Sequence, residues 1–212
     1  FAFRGRIHII IDLNFACIPH IEESIWSGNE EDEYLVGDWD GDGRDNIAVR
    51  RDNLILMDTN FDGIHDIEQT FGRGNDEDQY LVGDWYAAGR DHIAVRRGNQ
   101  LLADVNFDGV HEFQEFFGRG NEEDEYLAGD WNGDGFENFA VRRGNRILMD
   151  FDFGGGHDLE QVFGAGKEED DYLIGDWDGD GLDNIAVRRG NRILMDTNFD
   201  GTHDFEQTFG RG

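Results

Sequence analysis

The chain repeats itself every 46 residues. The segments YLVGDWDGDGRDNIAVRR from Tyr34, YLVGDWYAAGRDHIAVRR from Tyr80, YLAGDWNGDGFENFAVRR from Tyr126 and YLIGDWDGDGLDNIAVRR from Tyr172 are copies at one spacing, with no insertion or deletion. Residues 1–33 align at the same offset: Ala2, Phe3 and Arg4 fall on Ala48, Val49 and Arg50, and Asp12 falls on Asp58. The 212 residues therefore read as one repeat domain without a linker, a partial copy (1–33) followed by copies at 34–79, 80–125, 126–171 and 172–212. Such a period constrains the fold more than local propensity does, because a single unit buries its apolar face only by stacking on its neighbours.

Within a copy the apolar residues come in short runs bounded by Gly, Asn and Asp, which is the punctuation of strands. Tyr34–Trp39 reads as strand one, Ile47–Arg51 as strand two, Leu54–Met57 as strand three and Asp66–Phe71 as strand four. A two-residue turn, Asp52-Asn53 or Gly-Asn in the later copies, joins strands two and three. Four short strands in this length match the blade of a β-propeller, so the expectation is an all-β propeller of about five blades, the first incomplete. An open β-solenoid is the alternative.

Two loops in each copy follow D-x-[D/N]-x-D-G-x-x-[D/N/E], one between strands one and two and one between strands three and four. Ca²⁺ takes six to eight oxygens, and side chains at positions 1, 3 and 5 of a tight loop converge on one point. Glycine at 6 permits the turn, position 7 adds its carbonyl and position 9 closes the shell. Six loops keep the full set, giving about six Ca²⁺ sites. The candidate ligands are Asp38, Asp40, Asp42 and Asn46; Asp58, Asn60, Asp62 and Asp66; Asp104, Asn106, Asp108 and Glu112; Asp130, Asn132, Asp134 and Asn138; Asp176, Asp178, Asp180 and Asn184; and Asp196, Asn198, Asp200 and Asp204. Three loops are degraded and receive no metal: 84–92 lacks ligands at 3 and 5, 150–158 has Gly154 at 5, and 12–20 has Ala16 and Cys17 at 5 and 6. Favourable turn chemistry explains one such loop, but not six at one spacing. The EF-hand glutamate at position 12 is missing and strands flank the loops, so these are not EF-hands.

The run G-D-W-D-G-D-G-x-x-N-I-A-V, the later D-x-N-x-D-G-x-x-D and the pairs Phe71-Gly72, Phe117-Gly118, Phe163-Gly164 and Phe209-Gly210 resemble the FG-GAP/VCBS repeats of extracellular proteins. The resemblance covers the whole chain. It implies propeller blades with calcium in hairpin loops, an extracellular or cell-surface location, and a role in adhesion, ligand binding or surface architecture. Asn at position 9 of the first loop departs from the family's usual Asp; it weakens the charge and keeps an oxygen donor.

Composition narrows the partners. With 48 acidic against 18 basic residues the formal charge is −30, which argues against nucleic acid or anionic lipid. Six Ca²⁺ would add twelve positive charges to the −30, leaving −18 and relieving self-repulsion. No apolar run is long enough to insert in a membrane as a helix. The single cysteine, Cys17, allows no internal disulfide. The chain has no initiator Met and no signal peptide, and reads as mature, trimmed or partial.

The other recurring residues have plain structural readings. The acidic stretches before strand one (Glu30–Glu33, Asp76–Asp78, Glu122–Glu125, Glu168–Asp171) read as solvated connectors rather than a further cation site. Of the arginine pairs (Arg50-Arg51, Arg96-Arg97, Arg142-Arg143, Arg188-Arg189), one member is expected to cross to a carboxylate on an adjoining blade. Trp39, Trp85, Trp131 and Trp177 are expected in the core rather than stacked on sugars. His65, His111, His157 and His203 occupy position 8 of a loop and should face solvent. Ser24 and Ser27 are the only serines, Cys17 and His20 lack a nucleophile environment, and no enzyme is indicated.

The functional expectation is a calcium-stabilised structural or adhesion module, with a lectin binding glycans in the interblade grooves as the alternative. The expected partners are other copies of the chain or a surface protein, and glycan in the alternative reading. Five full copies would need 18 residues more than the chain has: a connector, strand one and a first loop. The expectation is that further chain or a neighbouring subunit fills that gap, the latter building a head-to-tail filament with Phe1-Ala2-Phe3 at the junction.

Overall fold

The computed structural model describes residues 7–11, 21–25, 32–75, 77–121, 123–167 and 170–208, the first two segments as backbone only. The 12–20 loop, the Phe1–Phe3 junction and Phe209-Gly210 lie outside the described residues. Among the described residues every regular element is a strand. β1 (Ile7–Ile11) and β2 (Ile21–Ile25) pair as a two-stranded antiparallel sheet. Four four-stranded antiparallel sheets follow, one per repeat: β3 (Glu33–Gly37), β4 (Asn46–Arg51), β5 (Leu54–Asp58) and β6 (Ile67–Thr70); β7 (Gln79–Gly83), β8 (His92–Arg97), β9 (Gln100–Asp104) and β10 (Phe113–Phe116); β11 (Glu125–Gly129), β12 (Asn138–Arg143), β13 (Arg146–Met149) and β14 (Leu159–Val162); β15 (Asp171–Gly175), β16 (Asn184–Arg189), β17 (Arg192–Asp196) and β18 (Phe205–Thr208). Each sheet keeps its strands in chain order, and the first strands β3, β7, β11 and β15 adjoin in turn. Successive meander sheets stacked this way are propeller blades.

The expected strands are found within two residues at every boundary. The largest difference is Trp39, which leaves strand one and opens the loop beyond Gly37. The cause is packing: Trp39 turns into the cluster that Leu35, Ala48, Ile55, Met57 and Phe71 form with Tyr80, Ile93 and Val95 of the next blade. The same set recurs between blades two and three and between three and four. The core therefore lies between blades rather than within them. A middle strand is buried on both faces, so Asn46–Val49 reads as an unbroken buried run rather than an alternating one. Trp39, Trp85 and Trp131 are buried; Trp177 is 36% exposed.

The end of the blades opposite the acidic loops is held by charge. Arg51, Arg97 and Arg189 reach Asp32, Asp78 and Asp170 at 2.6 Å, and Arg143 pairs with Asp124. These aspartates lie in the connector leading into the arginine's own blade, so the pair does not cross to an adjoining one. What crosses is the first arginine of the pair: Arg50, Arg96 and Arg142 lie over the rings of Tyr80, Tyr126 and Tyr172 in the next blade, at 4.2–4.5 Å. The solvated reading of the acidic stretches is corrected at one residue in each, because these aspartate side chains are essentially fully buried. Burial alone would raise Asp124, but Arg143 and the N–H groups of Arg119 and Gly120 hold its pKa below the ordinary value. Arg189 holds Asp170 down to about 2.

Candidate metal centres

Both loops of a blade emerge at the same end of the sheet, since Gly37 faces Asn46, Ile47 faces Asp58 and Met57 faces Ile67 across the ladders. The position 1 aspartate organises each loop. In all eight described loops it accepts the N–H of the position 6 glycine, at 2.6–3.0 Å. In the intact first loops its other oxygen accepts from positions 4 and 5, as in Gly41 N–H and Asp42 N–H to Asp38 at 2.8 and 3.1 Å. These N–H groups, Gly181 foremost, lower the pKa of Asp176. Position 4 is left-handed throughout: glycine in the intact first loops, but Phe61, Phe107, Phe153 and Phe199 at φ 56–63° in the second. A bulky residue there costs on the order of 1–3 kcal/mol. Packing offsets it, because each ring joins a hydrophobic cluster.

Among the described residues carboxylate oxygens converge within 4.8 Å in four groups: Asp38, Asp40 and Asp42; Asp104, Asp108 and Glu112; Asp150, Asp152 and Asp158; and Asp176, Asp178 and Asp180. In the other intact loops an asparagine stands at position 3 and donates to another acid of its own loop. Asn60 and Asn198 donate to Asp66 and Asp204 at 3.2 Å, while Asn132 donates to Asp134 at 3.0 Å. Asn106 likewise donates to Glu112, at 2.8 Å. Asp58, Asp62, Asp130, Asp196 and Asp200 hold their expected loop positions and accept backbone N–H bonds there.

The position 9 asparagines of the first loops turn inward. Asn46 donates to the Thr59 carbonyl of the second loop at 3.2 Å, linking the two loops of one blade. The Oδ1 atoms of Asn46, Asn138 and Asn184 are buried without a hydrogen-bond donor. An unsatisfied buried carbonyl oxygen of this kind is the donor type a hard cation takes.

The degraded loops divide. Loop 84–92 carries its own cation: the Arg90 guanidinium lies 5.0 Å over the Phe107 ring, and the buried His92 Nδ1 is 3.8 Å from Asp84. Loop 150–158 gathers three carboxylates despite Gly154, because Asp152 replaces the asparagine found at position 3 of the other second loops. The residue-by-residue reading missed this, although Asp152 was the signal. His111, His157 and His203 face solvent as expected, and His65, half-buried, lies 3.3 Å from Glu68.

A second set of acids escaped the motif. Position 8 of the first loop is Asp45, Asp91, Glu137 or Asp183, and the last three clamp the preceding blade. Asp91 accepts the Asp38 N–H at 2.8 Å and returns its own N–H to the Asp38 carbonyl at 2.7 Å. Asp183 does the same to Asp130 at 2.9 and 2.8 Å, and Glu137 to Asp84. Burial, with neighbouring carboxylates adding, raises Asp91 to about 6 and Glu137 to about 7. The second loops are tied across blades as well: Gln69 and Gln161 donate to Asp104 and Asp196 at 2.6 Å. At the corresponding place in blade two stands Glu115, 5% exposed and beside Asp150.

No family model and no curated protein matches the chain. Among solved structures it is similar to an Agrocybe aegerita lectin that recognises non-reducing terminal N-acetylglucosamine, at 13% identity and TM-score 0.55, over 86% of this chain and 53% of that one. It is also similar to a Bacteroides caccae protein of unknown function (12% identity, TM-score 0.55, 90% and 65%) and to the Photorhabdus luminescens Tc holotoxin pore (12%, 0.54, 82% and 9%). The chain spans less than two thirds of each of these proteins. At such identities the likeness is one of fold, and the fold is a β-propeller.

Proposed function

We propose that the chain is a non-enzymatic, Ca²⁺-stabilised structural or adhesion module of an extracellular surface, akin to FG-GAP/VCBS repeats and suited to head-to-tail assembly. The observation that carries the reading is the convergence of carboxylates in loops repeated at one end of every blade, each closed by the same position 1 to position 6 hydrogen bond. The lectin alternative loses its aromatic platform, since three of the four repeat tryptophans are buried between blades. Extracellular calcium modules bind with Kd on the order of 10⁻⁴–10⁻³ M. At about ten times Kd each site then contributes roughly 1.4 kcal/mol to folding. Calorimetry in millimolar Ca²⁺ and in EDTA tests this: a melting temperature at least several degrees higher in Ca²⁺ is expected, and coincident melts refute it.

A further inference from the structure

The three intact first loops share one backbone frame. The position 1 aspartate accepts the N–H of position 4 at 2.7–2.8 Å and that of position 5 at 3.1 Å: Gly41 and Asp42 donate to Asp38, Gly133 and Asp134 to Asp130, Gly179 and Asp180 to Asp176. The position 5 N–H also reaches the side chain at position 3, at 3.3 Å for Asp40, 3.1 Å for Asn132 and 3.3 Å for Asp178. Asn132 therefore stands where the other two loops carry a carboxylate. That one amide separates its loop from the convergent triads Asp38, Asp40 and Asp42 and Asp176, Asp178 and Asp180.

Asn132 precedes Gly133, the only Asn-Gly step in the sequence. Both residues are exposed, and Gly133 is left-handed at φ 73°. With no Cβ at 133, the approach of the Gly133 nitrogen to Asn132 Cγ is uncrowded. The Gly133 N–H points at Asp130 Oδ1, 2.7 Å away, so a base lies within hydrogen-bond reach of the proton that must leave. The position 3 asparagines of the second loops are placed differently. Asn60, Asn106 and Asn198 precede Phe61, Phe107 and Phe199, whose rings pack against hydrophobic clusters and fix the residue that would have to attack.

We propose that Asn132 is a self-modification site, which deamidates to aspartate in the folded protein and completes a third carboxylate triad. The Gly133 nitrogen bonds to Asn132 Cγ, the Cγ–Nδ2 bond breaks, and ammonia leaves with the proton that Gly133 gave up. One water then opens the cyclic imide. Cleavage between Cγ and the Gly133 nitrogen restores the main chain with an aspartate at 132; cleavage at the main-chain carbonyl gives isoaspartate. The loop frame favours the first product, because an aspartate there keeps the backbone hydrogen bonds that Asp40 and Asp178 already accept in the same frame. The proposal rests on the calcium reading and deepens it, naming a loop whose cation affinity rises after synthesis.

Ageing the folded protein at mildly alkaline pH, followed by peptide mass mapping that resolves isoaspartate, tests the chemistry without calcium binding as a readout. Conversion to aspartate is expected at 132, with Asn60, Asn106 and Asn198 still amides. An unchanged Asn132, isoaspartate as the sole product, or equal conversion at all four positions overturns the proposal. Calcium titration tests the consequence. Asn132→Asp should tighten one site on the order of tenfold, since affinity in such loops follows ligand charge. Aged wild type should move toward that variant, and aged Asn132→Gln, whose longer side chain closes its ring far more slowly, should not. A wild type that binds Ca²⁺ as tightly as Asn132→Asp overturns the proposal, and so does an equal shift in aged Asn132→Gln. The calcium reading fails separately: where neither protein binds Ca²⁺, the rise in affinity falls with it, and the mass map still decides the deamidation.

Discussion

Replacing Glu115 with glutamine should stabilise the protein by an amount that grows with pH. At the other interfaces the equivalent residue is glutamine, whose amide donates to the position 1 aspartate at 2.6 Å. Glu115 does the same only while it holds a proton. Burial, reinforced by Asp150, raises its pKa from 4.5 to about 8. The unfolded chain releases that proton near 4.5 and the folded chain keeps it to about 8, so over this window the native state binds more protons and stability falls as pH rises. The slope is at most about 1.4 kcal/mol per pH unit. Glu115→Gln removes it, so the variant should match the wild type near pH 4 and exceed it by up to roughly 4 kcal/mol near pH 8, with the gap constant above. Urea unfolding at fixed low calcium across this range measures the difference directly. Asp91 and Glu137 also carry raised pKa values and tilt both curves alike, which leaves the difference to Glu115. Parallel curves for the two proteins would refute the shared-proton account.

Two further substitutions probe backbone and packing. Ala87→Gly should raise stability by about 1 kcal/mol, because Ala87 sits at φ 47° where Gly41, Gly133 and Gly179 occupy the same loop position; a lower chemical midpoint would contradict this. Trp131→Ala should cost about 3–5 kcal/mol, while Trp177→Ala, at a partly exposed site, should cost well under half as much in the isolated chain; equal losses would show that the fourth blade is covered in solution.

The strands were legible because their ends are written chemically. Gly37 and the loop motif stop strand one, and Asp52-Asn53 or Gly-Asn turns the chain between strands two and three with the first residue left-handed. The convergence of the loop aspartates was legible for the same reason: a nine-residue turn brings positions 1, 3 and 5 together at Asp38, Asp40 and Asp42 and at Asp176, Asp178 and Asp180 with no help from distant residues. Arg97 was harder, because its expected partner lay on an adjoining blade. Burying Asp78 in the connector puts it instead within 2.6 Å of an arginine nineteen residues later. Charge alone offers Arg97 many acids, and only packing picks one.

What the sequence determined by itself is therefore the unit: its period, its four strands and its acid-lined loops, all set by interactions within a few residues. Only the tertiary structure decided how units meet. Asp91, Glu137 and Asp183 act as clamps, Glu115 faces Asp150, and Trp177 is 36% exposed where Trp39, Trp85 and Trp131 are buried against the next blade. Those roles depend on contact between blades, and a local pattern carries no record of which blade lies against it.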